Sequence, residues 1–484
     1  MKTKQHISFL LNGEPVSIHF ERDGVKPSTT VLNWLRNDAH HTEVKEGCAE
    51  GDCGACTVVI ASPDLTGKKL EYKAVNSCLL FLPAIDGKLL ITSRGLSPET
   101  TLSEELHPVQ KAIVDEHATQ CGFCTPGFVM SLFAQYHNSV PNDDAEINNA
   151  LTGNLCRCTG YDSIRKAAKE VLNNKKPDLY DHEEAEFIGR IRGTSLYEML
   201  DVNCLDQHYM RPLTLTDALE AHKNHPDAVV VNGSTDVALQ QSKHFRHIPA
   251  ILDISGVSEL RTYQQNSNAL HIGAGLSLED LRLNVKNSFP ALFEILSVFA
   301  SRQIRQVATV GGNIGSASPI GDTTPLLMAC NADVRVVSGT ASRIIPVRNF
   351  ITSYRKTALE AGELIAEIIL PLPGKNEIIK TYKVSKRLDM DISTVSAAFR
   401  MTLDNNIVAE ISMFYGGMAA TTMAATEAEE FLKGKEWNEN NILAAMKIIE
   451  STFTPLSDAR SGAEFRNLAA AGLLQQFYND IKMA

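Results

Sequence analysis

Eight of the ten cysteines in this 484-residue chain fall before residue 159, in two groups of four, and that placement constrains the fold more than any other feature of the sequence. The opening apolar run, Ile7-Ser-Phe-Leu-Leu11, is too brief for an export signal, so the expected location is cytoplasmic. In that reducing compartment thiols serve more often as metal ligands than as disulfides. The first 158 residues therefore read as a metal region.

The first group is Cys48, Cys53, Cys56 and Cys78, spaced Cys-x4-Cys-x2-Cys-x21-Cys, with its first three members in the glycine-rich stretch Gly47-Cys-Ala-Glu-Gly-Asp-Cys-Gly-Ala-Cys56. Plant-type [2Fe-2S] ferredoxins use this arrangement. Four thiolates must wrap two irons, and Gly47, Gly51 and Gly54 let the loop bend and aim backbone N–H groups at sulfur. A zinc site is the alternative, although zinc ribbons favour two Cys-x2-Cys pairs. The flanks agree with a ferredoxin-like β-grasp. His6 to Phe20 alternates apolar and polar residues about Asn12-Gly13 and predicts a hairpin, Thr29–Asn37 predicts a capped helix, and Cys56–Ile60 predicts a buried strand.

The second group pairs Cys121-Gly-Phe-Cys124 with Cys156-Arg-Cys158. A lone Cys-x2-Cys is compatible with zinc, a redox dithiol or no function at all. Here each pair precedes an expected helix start, at Thr125-Pro126-Gly127 and at Thr159-Gly-Tyr-Asp162, where free N–H groups and the helix dipole favour negative charge. The expectation is a helical domain holding a second four-thiolate cluster.

Further along, Asn173 to Thr194 is charged and aperiodic and reads as a linker, and a new domain begins near Arg211-Pro212. It contains Ala228-Val-Val-Val-Asn-Gly-Ser-Thr-Asp-Val237 and Ala308-Thr-Val-Gly-Gly-Asn-Ile-Gly315, each offering small residues and free N–H groups of the kind a phosphate cradle needs, although neither is a Gly-x-Gly-x-x-Gly fingerprint. His40-His41 reads as a solvated loop, Cys330 as a buried thiol, Cys204 as a thiol without a cysteine partner, and Met418–Met423 as local packing. The composition is that of a globular chain, at 44% hydrophobic and 21% charged, and its length suggests three or four domains. A balance of 46 basic against 57 acidic residues leaves −11 without a basic stripe, which speaks against nucleic acid as a partner. Nothing approaches a membrane span, and no Walker loop or Gly-x-Ser-x-Gly motif supports a kinase or hydrolase reading.

Gly47-Cys…Cys53-Gly-Ala-Cys56, Gln120-Cys-Gly-Phe-Cys-Thr-Pro-Gly127 and Gly153-Asn-Leu-Cys-Arg-Cys-Thr-Gly-Tyr161 resemble the iron–sulfur segment of the xanthine dehydrogenase family of molybdenum hydroxylases. Ala49 departs from it, standing where many relatives have glycine. The stretches Phe299–Asn313, Ala317–Asp322 and Tyr354–Thr357 resemble its flavin domain, and the likeness continues through Lys386-Arg387, Ile411–Gly417 and Ser457–Gly462. Met390 stands where many animal relatives carry an acidic residue.

The resemblance implies a multidomain α+β chain. Residues 1–92 would form a β-grasp [2Fe-2S] domain, 93–172 a helical [2Fe-2S] domain, 173–205 a linker, 206–380 an α+β FAD-binding domain of the molybdenum-hydroxylase flavoprotein type, and 381–484 an α+β C-terminal flavoprotein domain. It implies Cys48, Cys53, Cys56 and Cys78 as ligands of one [2Fe-2S] cluster and Cys121, Cys124, Cys156 and Cys158 as ligands of the other. The implied FAD contacts are Val230, Val231, Asn232, Gly233, Ser234, Thr235, Asp236, Val237, Thr309, Val310, Gly311, Gly312 and Asn313 about the pyrophosphate and ribityl chain, with Phe299, Asp322, Ile365 and Lys383. Phe299 would lie beside the isoalloxazine, or else be a core aromatic; Asp322 would accept from a cofactor hydroxyl, or else cap the helix before Thr323-Thr-Pro.

In single-chain relatives a longer molybdenum-binding part follows, whereas this sequence stops at Ala484. That implies a large molybdopterin-binding partner subunit, assembled with this one as a heterotetramer. Electrons from hypoxanthine or xanthine oxidation would pass through the two clusters to FAD and then NAD+, with no substrate-oxidising residue on this chain. The alternatives are the equivalent subunit of an aldehyde or N-heteroaromatic hydroxylase and, from another class, a zinc-stabilised scaffold.

Overall fold

The computed structural model describes residues 3–64, 66–97, 106–138, 143–194, 198–388 and 390–483, so Met1 and Ala484 lie outside it. The described chain forms two compact units, one of residues 1–257 with 301–308 and the other of residues 258–300 with 309–484.

In the first unit, the hairpin predicted about Asn12-Gly13 is present: His6–Leu11 and Glu14–His19 pair antiparallel with Leu11 opposite Glu14, which leaves a two-residue turn with both φ angles positive. These strands belong to a five-stranded sheet ordered Glu14–His19, His6–Leu11, Leu89–Ile91, Thr57–Pro63, Leu70–Asn76, with His6–Leu11 and Leu89–Ile91 parallel. The helix Val31–Asn37 starts where Thr30 Oγ1 accepts from the Asn33 N–H, a cap worth about 1 kcal/mol. Its Val31, Leu32 and Leu35 join Ile7, Phe9, Val58 and Ile60 in one buried core, completing the β-grasp.

Four helices follow, Pro108–Asp115, Thr125–His137, Asp144–Leu151 and Asp162–Asn173. Thr125–His137 is buried along its length from Gly127 to Tyr136, as expected of an element apolar on every side at its centre. The stretch read as a linker has structure of its own. It contains helices Leu179–His182 and Glu184–Arg192, and Tyr180, Phe187, Ile188 and Ile191 join the core of the helical part. Those apolar positions were hidden by the surrounding charge. A second five-stranded sheet is ordered Thr3–Lys4, Met199–Cys204, Gln207–Arg211, Ala250–Asp253, Val229–Val231.

The second unit holds an antiparallel five-stranded sheet ordered Tyr263–Gln265, Ala269–Gly273, Leu364–Pro371, Asp333–Ser338, Ala341–Pro346. It also holds an antiparallel four-stranded sheet, Glu377–Val384 through Met423–Ala424, whose core includes Phe399, Met413 and Tyr415 with Leu474 and Phe477 of the last helix. The chain is thus multidomain α+β. Among the described residues no helix is long and apolar enough to cross a membrane.

Candidate functional site

The first cysteine loop folds tightly on itself. The backbone N–H groups of Glu50, Asp52 and Cys53 donate to Cys48 Sγ at 3.3–3.4 Å, and that of Cys48 donates to Cys53 Sγ at 3.4 Å. Gly51 and Gly54 have φ of +79° and +69°, and Ala49, which departs from glycine, also sits in the left-handed region at +54°. A Cβ on Gly47 would stand 2.9 Å from Cys53 Sγ. These requirements are local, which is why the sequence revealed them.

The four thiols close up in two pairs. A hydrogen bond from Cys53 pulls the Cys48 thiol down to about 5, and the same bond pushes Cys53 up. Cys78 lowers Cys56 in the same way and is itself raised. In the second group Cys158 Sγ lies 3.6 Å from Cys121 Sγ, and Cys124 hydrogen-bonds Cys156. Burial raises Cys124 to about 12. Burial also works against ionisation of Cys156, but hydrogen bonds from Thr159 and the backbone outweigh it and the thiol is lowered. Cys124 occupies the N-cap position of the helix Thr125–His137, without a side-chain capping bond, and Tyr161, at φ +70°, precedes the helix Asp162–Asn173, so both expected helix starts are present beside the thiols.

This spacing bears on which metal fits. One tetrahedral zinc, with Zn–S near 2.3 Å, draws four sulfurs to within roughly 4 Å of one another. Among the described residues no three cysteine sulfurs come within 4.8 Å of one another; the set that does is His107, His137 and Asp178. Two pairs of thiols in each group suit two irons per group, each iron taking one pair.

The His107 cluster is a hydrogen-bonded clasp. Both Nε2 atoms meet Asp178 Oδ2, at 2.6 Å from His107 and 2.8 Å from His137. His107 Nδ1 accepts the Val109 N–H at 3.1 Å, so the neutral ring carries its proton on Nε2 and donates it to the carboxylate. A metal on that nitrogen would need the opposite tautomer. His41, read as solvated, is instead partly buried with its Nδ1 2.8 Å from Glu43.

The expected flavin contacts fall in both units. In the first, Val229–Val231 is a strand, Ser234 has φ +62°, and a Cβ on Gly233 would stand 1.8 Å from the Val307 carbonyl. In the second, Thr309 caps the helix Val310–Gly315, accepting from the Gly312 N–H at 3.1 Å. Val310 and Gly311 donate to Leu276 and Ala274, and Asn313 donates to Thr309. The N–H groups read as free are therefore engaged within the unit, because the stretch is a capped helix turn and not an open loop. Gly312 is exposed, and a Cβ there would meet only Thr309 Oγ1, at 3.1 Å. Asp322 and Lys383 are brought together in a buried ion pair, and Ser393 donates to the second Asp322 oxygen. Thr323, not Asp322, occupies the N-cap position of the helix Thr324–Ala329, and its side chain makes no capping bond. Phe299 is half-buried, and Ile365 Cδ1 lies 3.3 Å from where a Gly315 Cβ would be.

Sequence reasoning missed the segment 301–308, which packs in the first unit beside the cysteine loops. Arg302 donates to Gln135, Gln303 to Ser131 and Asn154, and Arg305 to Asn149. Its polar run, Arg-Gln-Ile-Arg-Gln, carries no periodicity that could have signalled burial.

Four families match the chain in succession. They are the 2Fe-2S iron-sulfur cluster binding domain over residues 12–82, the [2Fe-2S] binding domain over 92–169, the FAD binding domain in molybdopterin dehydrogenase over 202–373, and the CO dehydrogenase flavoprotein C-terminal domain over 380–481. Xanthine dehydrogenase of Emericella nidulans is 34% identical over 98% of this chain and 38% of its own length. Xanthine dehydrogenase 1 of Arabidopsis thaliana is 32% identical over 93% of this chain, again 38% of its own length. Thus the chain spans well under half of the curated relatives it matches. In fold it is similar to a chain of CO dehydrogenase from Oligotropha carboxidovorans (TM-score 0.53, 24% identity, 55% of this chain and 94% of that one). It is likewise similar to a chain of quinoline 2-oxidoreductase from Pseudomonas putida 86 (TM-score 0.53, 22% identity, 56% and 95%).

Proposed function

The chain belongs to the molybdenum hydroxylase family and carries its iron–sulfur and flavin electron-transfer domains, and on that premise we propose that it is the relay subunit of a xanthine dehydrogenase. In this reading Cys48, Cys53, Cys56 and Cys78 hold one [2Fe-2S] cluster and Cys121, Cys124, Cys156 and Cys158 the other. The observation that carries it is the closing of eight thiols into four pairs, beside N–H groups aimed at sulfur in the first loop. Val230–Val237, Phe299, Thr309–Asn313, Asp322, Ile365 and Lys383 are the FAD contacts. A flavin, when bound, can take up electrons singly and release them as a hydride pair, which matches single-electron clusters to NAD+.

The chain's own residues hold and space these groups. Exposed Gly312 leaves room for close approach to the cofactor, and the Asp322–Lys383 pair supplies fixed charges beside it. Purine oxidation then belongs to a molybdopterin-bearing partner, joined with this chain in a heterotetramer. The xanthine dehydrogenase names of the relatives favour purine over aldehyde or N-heteroaromatic substrates. Cysteines that serve as metal ligands suit a reducing, cytoplasmic setting.

The test is stopped-flow mixing of the flavin-loaded protein with NADH, beside a urate assay of the co-purified complex given xanthine and NAD+. Bleaching of the flavin and urate from the complex alone support the proposal. A flavin that NADH leaves oxidised removes NAD+ from it.

A further inference from the structure

Away from the cysteine loops, two histidines face each other across the first hairpin. His6 and His19 are directly opposed in the pairing of His6–Leu11 with Glu14–His19. Counted from the two-residue turn closed by Leu11 and Glu14, opposed residues alternate between hydrogen-bonded and non-hydrogen-bonded pairs. His6 and His19 form a pair of the second kind, whose side chains stand closer. Ser8 and Ser17 are the next such pair on that face, and their hydroxyls meet at 2.9 Å. The other face carries Ile7, Phe9 and Ile18 into the core, which fixes the side on which the imidazoles stand. The two rings stack with centroids 4.8 Å apart and planes 22° apart, and both residues are half-buried. Among the described residues neither ring shares a hydrogen bond with another group. In contrast, His41, His107, His137 and His208 each set a ring nitrogen against a carboxylate. Burial, then the His19 ring and the Lys4 ammonium, hold His6 below the ordinary imidazole value against the pull of Asp86 and Glu198. Lys4 is itself buried in an ion pair with Asp86 at 2.8 Å.

We propose that His6 and His19 are a two-imidazole chelate for a divalent transition-metal cation of the nickel, copper or zinc class. Neutral imidazole is the ligand such ions prefer, whereas magnesium and calcium require oxygen ligands that this face lacks in number. A metal–nitrogen distance of about 2.0 Å draws the two ligand nitrogens to roughly 3–3.5 Å of each other. Rings already stacked on opposed residues reach that spacing by small side-chain rotations, with the strand backbone unmoved. Water completes the coordination, and the Ser8 and Ser17 hydroxyls lie next along the same face. The cation fastens the end of the hairpin opposite its turn. There Thr3–Lys4 enters from its pairing with Met199 and Leu200, and the helix Phe20–Asp23 leaves, with the His19 N–H donating to Asp23 at 2.9 Å. The chelate is independent of the cluster and flavin assignments, since it uses none of their residues.

The experiment is calorimetric titration of Ni2+ into the full-length protein as purified, without an affinity tag, beside His6→Asn, His19→Asn and the double variant. Thermal unfolding with and without Ni2+ is the second readout, and iron is measured before and after titration. The expected result is a saturable site in the unaltered protein whose affinity falls by about tenfold or more in either single variant. The double variant should lose little beyond either single one, because one remaining imidazole cannot chelate. Ni2+ should raise the unfolding temperature of the unaltered protein and not that of the variants. His208→Asn, whose ring nitrogen is already held by Asp201 at 2.7 Å, should bind Ni2+ as the unaltered protein does. Unchanged affinity in either single variant overturns the proposal, as does additive loss in the double variant, which marks two independent ligands. Absence of a saturable site, or nickel uptake matched by released iron, overturns it as well. If His6→Asn does not accumulate, His19→Asn decides alone by the same criterion.

Discussion

Lys383 Nζ lies 2.8 Å from Asp322 Oδ2 with both side chains under a tenth exposed, and Ser393 closes the other carboxylate oxygen at 2.5 Å. Removing one member of such a pair strands a charge. Lys383→Met is expected to destabilise the protein by about 3–5 kcal/mol, while the double variant Lys383→Met with Asp322→Leu recovers most of that loss. Denaturant unfolding of both variants checks this, and equal destabilisation by the two would contradict it.

Adjacent glycines in the expected flavin turn are predicted to behave oppositely. A Cβ on Gly311 would stand 2.6 Å from Ala274 Cβ and 2.7 Å from its carbonyl, so Gly311→Ala should lower stability by about 1–3 kcal/mol through overpacking. Gly312 is exposed, so Gly312→Val should fold with its iron and lose FAD where the cofactor must approach. Flavin-to-iron ratios of the purified variants decide. Full flavin in Gly312→Val would move the site elsewhere.

Cys124→Ser should remove one reduced-cluster signal and leave the other, since the thiols pair within each group and not between groups. Low-temperature electron paramagnetic resonance shows this directly. Loss of both signals together would indicate a single shared site.

Much of the cluster region was legible because its requirements are local. Asn12-Gly13 sets a two-residue turn, Thr30 a helix cap, and Gly51 and Gly54 loop bends in the left-handed region that favours glycine. What stayed hidden depends on distant partners. Gln303 is buried by Ser131 and Asn154, and Tyr180 and Phe187 give the charged stretch after Asn173 a hydrophobic seat, and neither follows from neighbouring residues. In the same way Thr309 and Ala274 engage N–H groups that the glycine-rich turn seemed to leave for a phosphate, a pairing visible only once the helix and its neighbour strand are in place.

Asp178 joins the helix Leu179–His182 to the helical part by accepting from His107 and His137. Burial opposes its charge, but the two imidazole hydrogen bonds outweigh it and hold the carboxyl well below the usual range. A lowered folded pKa means the contribution is complete above the unfolded value, near 3.9, and fades as pH falls through the folded one. Asp178→Ala should therefore cost roughly 2–4 kcal/mol at neutral pH by stranding two buried donors, with the gap to the unaltered protein narrowing only in strong acid. Urea unfolding at neutral pH and in acid measures it, and a gap that widens on acidification would reverse the sign assigned here.

The proposed ligation, eight thiolates holding two separate [2Fe-2S] clusters in a chain that also binds FAD, is tested most directly by metal and flavin analysis of the purified protein, joined to electron paramagnetic resonance after dithionite reduction. The expected result is a brown-yellow protein with iron and FAD and two distinct rhombic signals. A colourless protein with stoichiometric zinc and no signal on reduction would contradict it.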